Sequence, residues 1–214
     1  GTLREVTLLP PCEPTKIIGV GLNYRDHARA AGVPIPEEPI LFLKAPSALI
    51  GDGAEICWPP GSDRIDFEAE LAVVIGRPTR NVPPNEALSH VLGYTCANDV
   101  TARDLQRRDG QWARAKSFDT FCPLGPYIAL GLDPGDLPIT ARLNGEVRQS
   151  STTANLIFGV PYLVSFISRI MTLQPGDVIL TGTPAGSGPM QAGDVVEVEI
   201  GPIGPLRNRL FRPR

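Results

Sequence analysis

Glu68, Glu70 and Asp99 are the residues whose types and spacing are best suited to chemistry. The first two lie in Asp66-Phe67-Glu68-Ala69-Glu70-Leu71-Ala72-Val73-Val74-Ile75-Gly76. Residues 71–75 form a β-rich apolar run closed by glycine, so the stretch reads as a strand. Alternation then puts Asp66, Glu68 and Glu70 on one face. Carboxylates in such a row repel, and the apolar run beside them marks a buried strand. Inward charges there need basic partners or a cation. Asp99 follows the strand-like residues 91–97. Two carboxylates from one strand and a third from a strand end make an oxygen-ligand site for a divalent metal. The plain alternatives are a solvated strand face for the glutamates and a helix N-cap for Asp99.

Other polar residues stand where they would serve such a site. If Thr101 opens a helix, Arg103 and Gln106 fall at i and i+3 and can point back over a ligand beyond Asp99. The alternative is a simple pairing of Arg103 with Asp99. Lys116, flanked by Phe118, Phe121 and Pro123, reads as partly enclosed, where it would stabilise negative charge on oxygen. Its plain reading is a surface lysine. His27, on the polar turn Asn23-Tyr24-Arg25-Asp26-His27, is by default a structural histidine, and His90 fits that default well. Thr181-Gly182-Thr183-Pro184-Ala185-Gly186 is a hydroxyl- and glycine-rich loop able to offer N–H groups to an anion. It lacks the Gly-Lys-Thr/Ser ending of a P-loop.

The elements that must position these residues belong to a soluble globular chain. It has 214 residues, 42% of them hydrophobic and 20% charged, enough for a core without staples. A net charge of -3 gives no reason to expect nucleic acid or an anionic membrane. No apolar run is long enough to span a bilayer, and no signal-peptide pattern is present. Cys12, Cys57, Cys96 and Cys122 match no zinc or haem spacing, and read as reduced thiols of a cytoplasmic protein. Only Lys16, Lys44 and Lys116 are lysines, which makes each worth inspecting.

Residues 1–15 read as a lead-in segment and 16–214 as one catalytic domain. Strands are expected at 16–20, 40–44, 70–75, 91–97, 127–130, 139–143, 178–180 and 195–200. Helices are expected at 101–108, with Thr101 and Asp104 as a capping pair, and at 159–171. The latter carries Leu163, Phe166, Ile167 and Ile170 at helical spacing. Strands dominate and Gly/Pro turns separate them, which suggests a mostly-β roll with decorating helices.

Several motifs in order resemble the fumarylacetoacetate hydrolase family. They are Gly21-Leu22-Asn23-Tyr24 with Asp26-His27, Asp66-Phe67-Glu68 with Glu70-Leu71, and Asn98-Asp99-Val100-Thr101-Ala102-Arg103-Asp104 with Gln106. Lys116-Ser117-Phe118-Asp119, the 181–189 loop and the closing stretch around residues 200–208 complete the set. The resemblance implies a mixed β-sandwich roll, a homodimer, and Mg²⁺ or Mn²⁺ held by Glu68, Glu70 and Asp99. It implies Lys116 at an enolate oxygen, Arg103 and Gln106 on the substrate, Thr183 on its carboxylate, and His27 as acid or base on a lid over residues 25–39. The implied substrates are 2-oxo acids or their enols.

One departure matters. Hydrolytic and decarboxylating relatives commonly place a glutamate three residues after the lid histidine, and here that residue is Ala30. Without a His–Glu dyad, activation of water is poorly supported. Isomerisation or decarboxylation of a 2-hydroxy-dienedioate is therefore expected ahead of C–C hydrolysis of an acylpyruvate. Oxaloacetate decarboxylation and a non-catalytic acid-binding scaffold are the remaining readings.

Overall fold

The structure is a computed structural model that describes residues 7–212. The first six residues of the expected lead-in, and residues 213–214, lie outside the described residues. The strands are β1 (Ile17–Gly21), β2 (Ile40–Lys44), β3 (Leu49–Ile50), β4 (Glu55–Cys57), β5 (Ile65–Phe67), β6 (Ala69–Ile75), β7 (Val91–Asn98) and β8 (Thr101–Ala102). They continue as β9 (Cys122–Ala129), β10 (Pro138–Leu143), β11 (Glu146–Thr152), β12 (Val178–Leu180), β13 (Gly188–Met190), β14 (Val195–Ile200) and β15 (Ile203–Phe211). The helices are α1 (Arg25–Ala31), α2 (Pro84–Ala87), α3 (Arg103–Asp109), α4 (Ala113–Lys116) and α5 (Val160–Ile170).

Strands predominate and form three sheets, the mostly-β roll expected. A seven-stranded mixed sheet runs β2-β1-β12-β6-β7-β9-β3, with β1 parallel to β12. A five-stranded sheet runs β11-β10-β14-β15-β4, and a small one β13-β5-β8. Strands β7 and β9 of the large sheet lie against β14 and β15 of the second, and the core fills the space between. Every residue of β6 is buried, as a central strand covered on both faces demands.

Three expectations need correction. The acidic stretch is not one strand. It breaks at Glu68, so β5 joins the small sheet and β6 the large one. Thr101 does not cap a helix. It pairs with Asp66 in β8 and donates its hydroxyl to the Asp99 carbonyl, while α3 begins at Arg103. Asp104 accepts instead from the Ser62 hydroxyl at 2.6 Å. The buried stripe of α5 is Val160, Leu163, Val164 and Ile167, whereas Ile170 is exposed.

Strand β1 shows how the fold makes room for a site. A Cβ on Gly19 would lie 2.1 Å from the Phe42 ring, and one on Gly21 would lie 2.7 Å from Trp112. These alternate glycines let both rings pack close against β1. The rings meet edge to face at 5.5 Å and wall the same cavity. Gly19→Ala is expected to cost about 1–3 kcal/mol by overpacking. A urea titration measures it, and an unchanged midpoint would contradict this account.

Candidate active site

The β6–β7 pairing brings the carboxylates together. Ala69 lies opposite Asn98 and Glu70 opposite Ala97, so Asp99 emerges beside Glu68. The Asn98 side chain accepts from the Glu68 N–H at 2.9 Å, and the Asp99 N–H donates to the Glu68 carbonyl at 2.9 Å. One oxygen from each of Glu68, Glu70 and Asp99 falls within 4.8 Å of the others, and all three residues are buried.

Basic groups compensate two of the three. Lys116, at the end of α4, donates to Glu68 at 2.9 Å and also to Asp99. Lys44, at the end of β2, donates to the other Asp99 oxygen at 2.6 Å. Arg103 bonds Glu68, and also Asp66 at 2.9 Å; Arg64 holds Asp66 from the other side at 2.8 Å. Asp66 is thus an anchor for Arg103 rather than a member of the triad. The i, i+3 relation holds too, since Arg103 donates to Gln106 at 2.6 Å.

Glu70 is different. Among the described residues it has no salt bridge, and its polar partner is the Gly182 N–H at 2.7 Å. Burial, then Asp99 and Glu68, push its pKa well above the ordinary glutamate value. For Glu68, burial also acts upward, but Lys116 and Arg103 outweigh it and hold the pKa at about 2. Lys116 stays protonated, because Asp99 and Glu68 overcome the cost of its burial. A buried carboxylate without a counter-charge must take a proton or a cation. Three converging carboxylate oxygens are a hard donor set of the kind that takes Mg²⁺ or Mn²⁺. The residues present therefore fit a divalent metal, with Glu68, Glu70 and Asp99 as its holders.

The triad opens into a cavity of about 300 Å³ that Lys116, Arg103, Gln106, His27 and Thr183 also line. Its remaining wall is largely apolar, from Val20, Leu22, Val33, Ile40, Phe42 and Trp112. All eight residues singled out in the sequence thus face one space. The 181–186 loop reaches it through two glycines at positive φ. Gly182 (φ 99°) gives its N–H to Glu70 where a Cβ would press on Asn23 at 2.8 Å. At Gly186 a Cβ would strike the Arg148 carbonyl at 2.1 Å, so glycine permits the loop's approach to β11.

The histidine stands at 3.0 Å, through Nδ1, from the Thr183 carbonyl. A carbonyl only accepts, so this bond places the proton of neutral His27 on Nδ1 and leaves Nε2 as the proton acceptor. Ala30 is exposed and does not line the cavity, and neither do Glu37 and Glu38. A backbone carbonyl therefore orients the imidazole in place of the absent glutamate. Helix α1 is also better anchored than its polar sequence suggests. Tyr24 and Ala28 are buried, Asp26 accepts from Ser151 at 2.5 Å, and Arg25 reaches the Leu156 carbonyl at 2.6 Å. His90 bonds Thr79 at 3.1 Å and lies outside the cavity lining.

Sequence reasoning gave no site role to Lys44, Asn98 or Gln149. Lys44 had a signal: it is one of three lysines and closes an apolar strand. Gln149 had a fainter one, the Asn144-Gly145 pair that marks a two-residue hairpin and hence β11. Asn98 had none beyond standing next to Asp99.

Two consequences are measurable. A raised Glu70 pKa means a contribution to stability that is present in acid and lost as pH climbs from the ordinary glutamate range through the folded value. Glu68 has the opposite sign: its contribution is present above about 4.5 and lost as pH falls toward about 2. Glu70→Gln should therefore stabilise metal-free protein at pH ~7.5 by roughly 1 kcal/mol, raising its melting temperature, while abolishing Mn²⁺ binding in calorimetry. A lower melting temperature, or retained binding, would count against the assignment. Lys44→Met leaves a buried Asp99 oxygen without its cation and should cost about 3–5 kcal/mol in urea denaturation; a cost near zero would show that Lys116 alone suffices.

Residues 16–211 match the Fumarylacetoacetate (FAA) hydrolase C-terminal family. A mitochondrial oxaloacetate tautomerase of Bos taurus is 45% identical over 219 residues, spanning 96% of this chain and 70% of that protein. A 5-carboxymethyl-2-hydroxymuconate delta-isomerase from Mycobacterium smegmatis is 50% identical, with a TM-score of 0.93 over 99% of this chain and 84% of that one. A fumarylpyruvate hydrolase from Pseudomonas aeruginosa, solved with Mn²⁺ and pyruvate, is 34% identical, with a TM-score of 0.88 over 94% and 91% of the two chains. With ordered motifs, a buried carboxylate triad and these likenesses in agreement, the chain belongs to the fumarylacetoacetate hydrolase family, whose members include isomerases, tautomerases and hydrolases.

Proposed function

We propose that this protein is a Mg²⁺- or Mn²⁺-dependent isomerase of 2-oxo acid enols, acting on 2-hydroxy-dienedioates such as 2-hydroxyhepta-2,4-diene-1,7-dioate in aromatic catabolism. The carrying observation is the convergence of Glu68, Glu70 and Asp99 on one cavity with Lys116, Arg103 and His27. The relatives named as a hydroxymuconate isomerase and an oxaloacetate tautomerase support the reaction class.

Bound at the triad, the metal would supply Lewis acidity to the 2-oxo group. The chain's own residues supply the rest. Lys116 and Arg103 place positive charge where an enol oxygen loses its proton. Thr183 and Gln106 offer polar contacts to the carboxylate end. His27 Nε2 takes up or delivers the proton at carbon, so one proton leaves oxygen, one arrives on carbon, and the formula is unchanged. Phe42 and Trp112 keep water from that side of the cavity.

The histidine's carbonyl partner favours this reading over C–C hydrolysis. A neutral carbonyl orients the ring but adds no negative charge to raise its basicity, so it suits a proton shuttle better than activation of water. Decarboxylation of a 2-oxo diacid is the second reading, since it too needs no activated water. The same proposal carries a homodimer in the cytoplasm; light scattering tests the former.

The decisive assay follows the ultraviolet band of a 2-hydroxy-dienedioate with and without Mg²⁺. Metal-dependent loss of the band without release of CO₂ or of a cleaved acid is expected, and EDTA should abolish it. Turnover of an acylpyruvate with no action on any dienol would overturn the isomerase reading.

A further inference from the structure

Gln149 is the one buried residue of β11, fully shielded from solvent on a mostly polar strand. Its side chain bridges two sheets. The Oε1 atom accepts from the Ala69 N–H at 2.9 Å, between the two triad glutamates. The Nε2 atom donates to the Thr183 hydroxyl at 2.8 Å and to the Pro184 carbonyl at 2.7 Å. Ala69 N–H can only donate and Pro184 C=O can only accept, so the amide has one permitted orientation.

That orientation has a chemical consequence. Both Nε2 protons are spent, and the Thr183 oxygen receives one of them. The hydroxyl's own proton is then left over, on a side chain that lines the cavity. Among the described residues no acceptor takes it. The carbonyl of the same residue holds His27 Nδ1. One residue thus presents a donor to the ligand and sets the tautomer of the histidine, and one buried amide holds that residue in place.

We propose that Gln149 is a positioning residue that fixes the Thr183 hydroxyl as a hydrogen-bond donor to a ligand carboxylate and, through the Thr183 backbone, keeps His27 Nε2 as the proton-accepting nitrogen. The inference rests on the proposed 2-oxo acid chemistry for its ligand class. Nothing in the roles of the triad, Lys116 or Arg103 requires it.

The test uses oxalate, a dicarboxylate that mimics the chelating end of a 2-oxo acid, as probe on Mn²⁺-loaded protein by calorimetry. Gln149→Glu keeps the acceptor for Ala69 but, ionised, cannot donate, so the Thr183 hydroxyl must turn and donate to it. Oxalate should bind ~10-fold more weakly, as expected for one lost hydrogen bond to a charged group, and Mn²⁺ affinity should not fall. Thr183→Val should cause a similar loss and Thr183→Ser should restore binding. In the Thr183→Val background Gln149→Glu should cause little further loss, because the two act as one unit. Nitrogen-15 spectra of the histidines should show the Nδ1–H form of His27 in the wild type and a mixture in Gln149→Glu. If Gln149→Glu does not fold, Gln149→Met removes the same donors and takes its place.

Wild-type-like oxalate binding by the Gln149 variant, or a full ~10-fold further loss in the double variant, would overturn the positioning role alone. A wild-type protein that binds Mn²⁺ but no oxalate would overturn the 2-oxo acid reading as well.

Discussion

The site depends on one buried carboxylate, Glu70, that no cation touches among the described residues. Among the described residues, Asp66, Glu68 and Asp99 each have cationic partners, whereas Glu70 has a single backbone N–H. Charge in a low-dielectric interior is costly unless it is paired. Burial and the neighbouring Asp99 and Glu68 carboxylates push the Glu70 pKa well upward, and a divalent cation would offset that cost in place of a proton. The supporting features around the triad serve this one arrangement. Lys44 closes the far side of Asp99, Asn98 pins the Glu68 backbone, and Gly182 lets the loop's N–H reach Glu70.

The strand break at Glu68 is the geometric counterpart of that electrostatic constraint. A continuous strand would commit residues 66–70 to one sheet. The break sends β5 to the small sheet, where Asp66 meets Arg103, and β6 to the large one, where Glu70 lies opposite Ala97. Glu68 stands between the two and is shared by Arg103 and Lys116. Repulsion along an acidic row is thus relieved by a change of sheet as well as by counter-charge.

The residues proposed to handle protons are held by neutral groups instead. His27 is oriented by a carbonyl, and Thr183 by the amide of Gln149. Neutral partners fix direction without adding charge beside an already acidic cluster. That division, charges around the candidate metal position and dipoles around His27, fits the absence of a glutamate at Ala30 and the proposed proton shuttle.

The central strands were legible in the sequence because apolar runs bounded by glycine and proline leave few choices; β2, β12 and β14 fall on the expected residues. The triad was legible for a related reason: carboxylates beside a buried run cannot be left alone. Strands β8, β11 and β13 were not legible, since short or polar segments take their structure from partners distant in the chain. The same holds for function. Residue types alone determined that this protein gathers acidic ligands with a lysine and an arginine, because burying such groups without partners is too costly. Only the tertiary structure decided that Lys44 completes the charge balance, that Gln149 aims Thr183, and that a carbonyl from residue 183 orients a histidine at 27. Those contacts span from 34 to 156 positions of sequence, and no local pattern encodes which distant backbone a side chain will meet.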